Sequence, residues 1–337
     1  MAAAMKMRMM MMGEGVGVGG GDPKDGGGAK GTPTALEEEM ERMVQRMEGI
    51  RVSPQALPRA LYLRGRALLV TPLGSPRAEA ILGRALKLEP GLSGAWTLLG
   101  ETLWGRGDLD GARACFRGAL QHEKVDPTAA SNPDLHLNRA TLLQFEENYG
   151  AALDGYARAA ALAPDWTEPR MRRARLLDYL SRICAAVGGA SKARGRRRRA
   201  LSPSLLGALG DTVTPMAALW DGDNAGRALL GRVLGCVLPE GGVPIAVGLS
   251  DGTGAVVLSV YNAAPGWGLA VGDAVAVGQP HVRRHHIQHQ GKTFSFVGVR
   301  IPSPLALMVN GRRPPGSAVA APRLSCSCAP ESPSLER

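Results

Sequence analysis

Apolar and small residues recur along residues 60–166 in three similar copies. The first runs Tyr62, Leu69, Ala78, Leu82, Ala85, Pro90 and the second Trp96, Leu99, Gly100, Leu103, Ala112, Phe116, Ala119. The third runs Ala140, Leu143, Ala152, Tyr156, Ala159, Pro164. Ala78 to Ala112, Leu82 to Phe116 and Ala85 to Ala119 are each 34 residues apart. Within a copy, apolar positions separated by three or four residues are those of helices that bury one face. Alanine stands where two helices must approach closely, and Leu82, Phe116 and Tyr156 are large enough to fill the space between neighbouring pairs. Gly107-Asp108 and Asn148-Tyr149-Gly150 predict the turns inside the pairs. Pro90 and Pro164 end the second helices, because proline disfavours helix at the residue before it.

A helix-pair period of 34 residues is that of tetratricopeptide (TPR) repeats. Ala112 and Ala152 are 40 residues apart, so six extra residues, 127–132, fall at the junction, where the register of the solenoid is predicted to break. Upstream, Thr34 and Glu37 form a capping-box pattern. Met40, Met43, Val44 and Met47 follow as one apolar stripe, predicted to pack against the first repeat. Beyond Trp166, residues 167–184 read as an amphipathic helix with Met171, Ala174, Leu177 and Leu180 on one side, a cap for the array.

From Leu229 the pattern becomes strand-like, with segments at 231–238, 244–249, 255–261, 273–277 and 293–301. Five such segments separated by Gly, Pro and Asp turns suit a small Greek-key barrel of the oligonucleotide-binding (OB) type. The predicted fold class is therefore α+β and multidomain, an all-α TPR solenoid followed by an all-β OB-type barrel. The predicted divisions are a disordered low-complexity start at 1–31, the helical array with its cap at 34–184, a basic linker at 185–224, the barrel at 225–312 and a disordered tail at 313–337. Between Asp251 and Asp273 lies a long uncharged stretch, but five glycines, Asn262 and Pro265 predict two strands and a loop rather than a membrane span.

Composition alters this picture in a few places. Among 337 residues, 45 glycines and 24 prolines against 4% aromatics predict long irregular segments. A formal charge of +10 favours an acidic partner. Much of the excess lies at Lys192, Arg194, Arg196, Arg197, Arg198 and Arg199, which suits a solvated linker, a nuclear import signal or a phosphate contact. The five cysteines have neither zinc spacing nor an even-numbered framework, which predicts reduced thiols of cytosol or nucleus. The Met-rich start is too short and too quickly glycine-rich for a signal peptide.

With Ala140 and Ala152 setting the register, Asp134, Leu137, Thr141 and Gln144 are predicted to line the inner wall of the array, joined by Glu168 and Met171 of the capping helix. Two carboxylates on that wall would prefer a cationic peptide; the same carboxylates also suit helix N-termini. Asn138, on the adjoining face, suits either a peptide backbone or a polar contact between helices. His281, Arg283, Arg284, His285, His286 and His289 predict a basic loop that touches phosphates. A metal would need ligands converging on one point, and none is predicted. Phe294, Phe296, Tyr261 and Trp267 suit burial better than base stacking. No phosphate-binding glycine loop, nucleophile elbow or paired-carboxylate constellation is present in the sequence, so the chain is predicted to be neither an enzyme nor a cofactor protein.

Several words of the sequence carry a resemblance. Tyr62-Leu-Arg-Gly-Arg-Ala-Leu-Leu-Val-Thr-Pro, Ala95-Trp-Thr-Leu-Leu-Gly-Glu, Asn132-Pro-Asp-Leu-His-Leu-Asn-Arg-Ala-Thr-Leu, Val260-Tyr-Asn and Val309-Asn-Gly resemble the tetratricopeptide repeat protein five family, also called Strap. The resemblance covers residues 35–312 and implies a TPR solenoid joined to a C-terminal OB fold. It implies a non-catalytic scaffold in cytoplasm and nucleus. One implied role is at the ribosome, where the groove takes the basic N-terminal peptide of nascent tubulin and triggers decay of its mRNA. Another is that of a nuclear stress-response transcription cofactor for chromatin acetyltransferase coactivators. No membrane partner is implied. Asp134 matches the family position that contacts the nascent peptide, and Lys87, within Arg84-Ala-Leu-Lys-Leu-Glu-Pro, matches a stretch associated with the ribosome. The sequence departs from the family at 121–132, where further helical repeats are absent. A nucleic-acid-binding OB protein with an accessory array is the remaining alternative.

Overall fold

A computed structural model describes residues 35–69, 75–122, 131–188, 212–238 and 244–320. The predicted low-complexity start, the capping residue Thr34, the arginine run and most of the tail lie outside the described residues. The described helices are α1 (Ala35–Gly49), α2 (Leu57–Leu68), α3 (Ser75–Leu88), α4 (Ser93–Gly105), α5 (Leu109–Gln121), α6 (Pro133–Phe145), α7 (Tyr149–Leu162) and α8 (Thr167–Gly188). They are followed by strands β1 (Gly222–Asp223), β2 (Ala228–Val237), β3 (Ile245–Ser250), β4 (Ala255–Val260), β5 (Ala274–Gly278), β6 (His281–His289), β7 (Lys292–Ile301) and β8 (Leu307–Val309). The chain divides into two compact units, and the division runs through the third repeat, not through the basic linker. One unit holds the chain up to Leu142 with Arg158–Trp166; the other holds Leu143–Ala157 with Thr167–Arg323.

In the first unit the repeat pattern translates directly into packing. Ala78, Ala85, Ala112 and Ala119 have no exposed surface, and neither has Leu82. Glycine lets the helices of a pair touch: a Cβ at Gly65 would lie 2.7 Å from the Leu82 side chain, and one at Gly100 would lie 2.6 Å from the Phe116 ring. Val44 of α1 is buried beside Ala67, Leu68 and Leu82, with Met43 and Met47 packed against the same cluster, as the apolar stripe predicts. Most of the expected break at 127–132 lies outside the described residues. Leu135 and Leu142 of α6 join Trp104, Phe116 and Ala119 in one core cluster, so α6 docks on α4 and α5 as a next repeat would. Gly107 turns with φ +85°, and Asp108 caps α5 by accepting the Gly111 N–H at 2.9 Å.

The turn between α6 and α7 comes earlier than predicted. Glu147 takes the left-handed conformation, φ +62°, and Tyr149 is already helical and 2% exposed. This turn belongs to the second unit.

In that unit, β2, β3 and β4 form an antiparallel meander, and β7 joins β4 in parallel. β5 pairs with β2, β6 pairs with β7, and only Gln279 and Pro280 separate β5 from β6. The two act as one strand bent at Gln279, φ +48°, and the bend closes the sheet into a barrel. Alternation along the strands sends Leu229, Val247, Leu249, Val256, Leu258, Val275 and Val299 into the barrel core. Three expectations are corrected. The segment with histidines and arginines is strand β6, not a loop: Val282 is buried in the barrel core and His285 and Ile287 are buried on the opposite face, and the exposed polar residues between them hid the strand. Residues 251–273 hold one strand, β4, and a loop, not two strands. The helix after Trp166 continues to Gly188 and buries Leu176, Tyr179, Leu180 and Ile183, leaving Met171 exposed. Its far end lies on the barrel, since a Cβ at Gly248 of β3 would sit 3.5 Å from Ala186. Among the described residues no helix is long and apolar enough to cross a membrane.

Candidate functional site

The predicted peptide wall centres on α6. Asn132 caps this helix, its side-chain oxygen accepting the backbone N–H groups of Asp134 at 3.0 Å and Leu135 at 3.4 Å. Proline at the first helical position removes an N–H that would have no partner there. Asp134 therefore sits in the first turn, where the positive end of the helix dipole favours a carboxylate. It is half-buried. Thr141, also half-buried, donates its hydroxyl to the Leu137 carbonyl at 3.0 Å.

Asn138 is fully buried and donates its amide to Glu101 Oε1 at 2.9 Å. Of its two predicted roles the structure shows the contact between helices. Leu137, expected on the inner wall, is likewise fully buried. Glu101 of α4 was missed, although the signal was present: it precedes Thr141 by 40 residues, the same offset that relates Ala112 to Ala152. The first unit thus carries two carboxylates on neighbouring first helices, Asp134 at the start of α6 and Glu101 across from the middle of it.

Glu168 belongs to the second unit. It lies in the first turn of α8 and pairs with Arg172 Nε at 2.8 Å, one helical turn along. Its charge is answered within its own helix.

The predicted basic contacts separate. Lys87 is exposed in the last turn of α3. Arg196, Arg197, Arg198 and Arg199 lie outside the described residues. Arg283 is exposed, and its guanidinium donates to the Glu146 carbonyl at 3.2 Å. Arg284 donates to the Leu219 carbonyl at 3.1 Å, while its backbone N–H reaches the Asp221 carboxylate at 2.7 Å. Both arginines brace the fold from strand β6. Among the described residues no group of three or more acidic, histidine or cysteine side chains converges as a metal site.

A second constellation, invisible to sequence spacing, is buried in the second unit. Glu147, 4% exposed at the α6–α7 turn, accepts the Tyr261 hydroxyl at 3.0 Å and faces Arg300 at 3.5 Å. Arg300 also donates to the Phe145 carbonyl at 2.7 Å and lies 3.7 Å over the Tyr261 ring. Burial pushes the Glu147 carboxyl up from its ordinary range, and Arg300 with the Tyr261 and Ser259 hydroxyls opposes that rise. His285 stacks on Phe296 at 4.6 Å, and burial, aided by Arg283, lowers its pKa to about 4. The imidazole is therefore neutral at physiological pH.

Comparison with known proteins places these features. Residues 211–323 match the family described as the tetratricopeptide repeat protein 5 OB fold domain. The chain is similar to tetratricopeptide repeat protein 5 of Bos taurus, 36% identical across 84% of this chain and 86% of that one. It is also similar to the Homo sapiens protein of the same name, 35% identical with the same coverage. The bovine alignment spans 381 positions, whereas 84% of this 337-residue chain is about 283 residues. The difference, about 98 positions, is close to three repeat periods. Among solved structures, that of YrrB, titled a TPR protein with an unusual peptide-binding site, is 21% identical with a TM-score of 0.32, covering 41% of this chain and 68% of that one. That of MamA is 10% identical with a TM-score of 0.35, covering 44% and 85%. Likeness of that size carries no functional argument.

Proposed function

The chain belongs to the tetratricopeptide repeat protein 5 family, and from that membership we propose that it is a non-catalytic adaptor whose helical array takes a basic N-terminal peptide at the ribosome, in the manner of nascent tubulin, and so triggers decay of the tubulin message. The observation that supports this reading is the pair of carboxylates on the neighbouring helices α4 and α6. Asp134 heads α6, and Glu101 of α4 is held beside that helix by the buried Asn138 amide. A peptide beginning with Met and Arg offers the complementary charge, and charge-assisted hydrogen bonds to carboxylates are stronger and shorter than neutral ones. α4 and α6 share one core cluster here, and the alignment exceeds the matched residues of this chain by about three repeat periods, both of which suit a shorter groove built on these two helices.

Titration of the full chain with a synthetic tubulin-like N-terminal peptide tests the reading. Asp134→Arg is expected to weaken binding tenfold or more while leaving the thermal midpoint within a degree or two. Unchanged affinity would remove Asp134 from the site.

A further inference from the structure

In OB barrels an oligonucleotide lies against the outer face of the second and third strands. Here β2 is the first barrel strand and β3 and β4 follow it in the meander, with β7 added in parallel beside β4. The ligand face is therefore the outer surface of β3 and β4, with that of β7 adjoining it.

That face is closed. Residues that alternate with the barrel core point outward, yet Ala246, Val257, Ser259, Tyr261 and Phe296 are all 7% exposed or less. Gly248 is buried as well, and its lack of a side chain admits α8, whose Ala186 would sit 3.5 Å from an added Cβ. The Cys184 thiol of α8 reaches the Ser295 carbonyl beside β7's outer face at 3.9 Å. The aromatic rings that stack bases in a single-strand receptor are engaged by the chain itself. Tyr261 meets the Phe145 ring edge-on at 4.9 Å beneath Arg300, and Phe296 clusters with His285 and Tyr149, at 4.6 and 6.3 Å. Every one of these partners lies within the second unit.

We propose that the oligonucleotide face of this barrel is the permanent seat of the chain's own α8 and α6–α7 turn, so that the barrel clasps these helices and receives no single-stranded nucleic acid there. The occupant is held at the second half of α8 and at the turn. Leu176, Leu180 and Ile183 of α8 are 1% exposed or less, and the turn is fastened by Glu147 to Tyr261 and Arg300. Displacing it would expose an apolar helix stripe and leave a buried carboxylate without its partners.

The test uses the full chain and a fluorescein-labelled twelve-nucleotide oligouridylate, read by anisotropy, by hydrogen exchange and by alkylation of Cys184. The clasp predicts that the oligonucleotide leaves exchange in residues 245–260 and the alkylation rate of Cys184 unchanged, whether or not it binds elsewhere. Tyr261→Leu and Phe296→Leu are expected to lower the thermal midpoint by several degrees and to change any oligonucleotide affinity by less than twofold. Protection of residues 245–260, faster alkylation of Cys184 on adding the oligonucleotide, or a tenfold loss of affinity in either variant would overturn the proposal.

Discussion

Gly65 meets Leu82 across 17 residues of chain and Gly100 meets Phe116 across 16. Glu147, by contrast, meets Tyr261 across 114 residues, and Arg300 meets Phe145 across 155. The helical array is assembled from near neighbours, each pair burying the gap left by the last. The barrel and the helices on it are assembled from distant segments, and a buried carboxylate, Glu147, with the half-buried Arg300 facing it, sits where they join. An array of the first kind loses stability locally when it is altered. The second kind is expected to fail as one piece.

The largest effect expected from that contrast is at Arg300. Arg300→Met leaves Glu147 buried without its cation, at a cost of about 3–5 kcal/mol, measured by urea unfolding of the full chain. Because burial raises the Glu147 carboxyl, its protonated form suits the fold: the stability it contributes is greatest below the ordinary carboxyl range and is lost as pH rises through the raised value. Glu147→Gln should flatten that dependence. A loss below 1 kcal/mol in Arg300→Met would show the pair to be solvated.

His285 titrates with the opposite sense. Its pKa falls from 6.5 to about 4 on folding, so the stability of the neutral form is complete above 6.5 and is lost as pH falls toward 4. The full swing is about 3 kcal/mol. Comparison of unfolding at pH 7 and pH 4.5 should show His285→Gln to be less acid-sensitive than the parent.

Within the array, Gly100→Ala would drive a Cβ into the Phe116 ring and is expected to cost about 1–3 kcal/mol. Combining it with Phe116→Leu should recover part of that loss, since contacting residues couple. Full additivity of the two would mean that they do not share a packing site. The smallest change is Glu168→Gln, which removes one pair along α8, about 0.2–0.5 kcal/mol, seen as a small shift in the thermal midpoint.

The same contrast explains what could be read from the chain. The period placed Ala78, Ala112, Leu82 and Phe116 correctly because their partners lie one helix away. It also contained Glu101, at the offset of Thr141, but a carboxylate does not stand out in a pattern of apolar residues. Strand β6 was hidden because its buried residues are divided between two faces, Val282 toward the barrel core and His285 with Ile287 away from it, and a buried histidine does not look apolar. Glu147, Tyr261 and Arg300 carry no sequence signal at all. Their meeting depends on closure of the barrel and docking of the helices, neither of which leaves a spacing to count.

In the proposed arrangement the helical array takes the ligand while the outer face of the barrel is already occupied. Hydrogen exchange of the full chain, with and without a saturating basic N-terminal peptide, addresses both halves at once. Slower exchange is expected in α4 and in the Asp134 end of α6, with residues 245–260 unchanged. Protection of residues 245–260 with no change in α4 and α6 would contradict it.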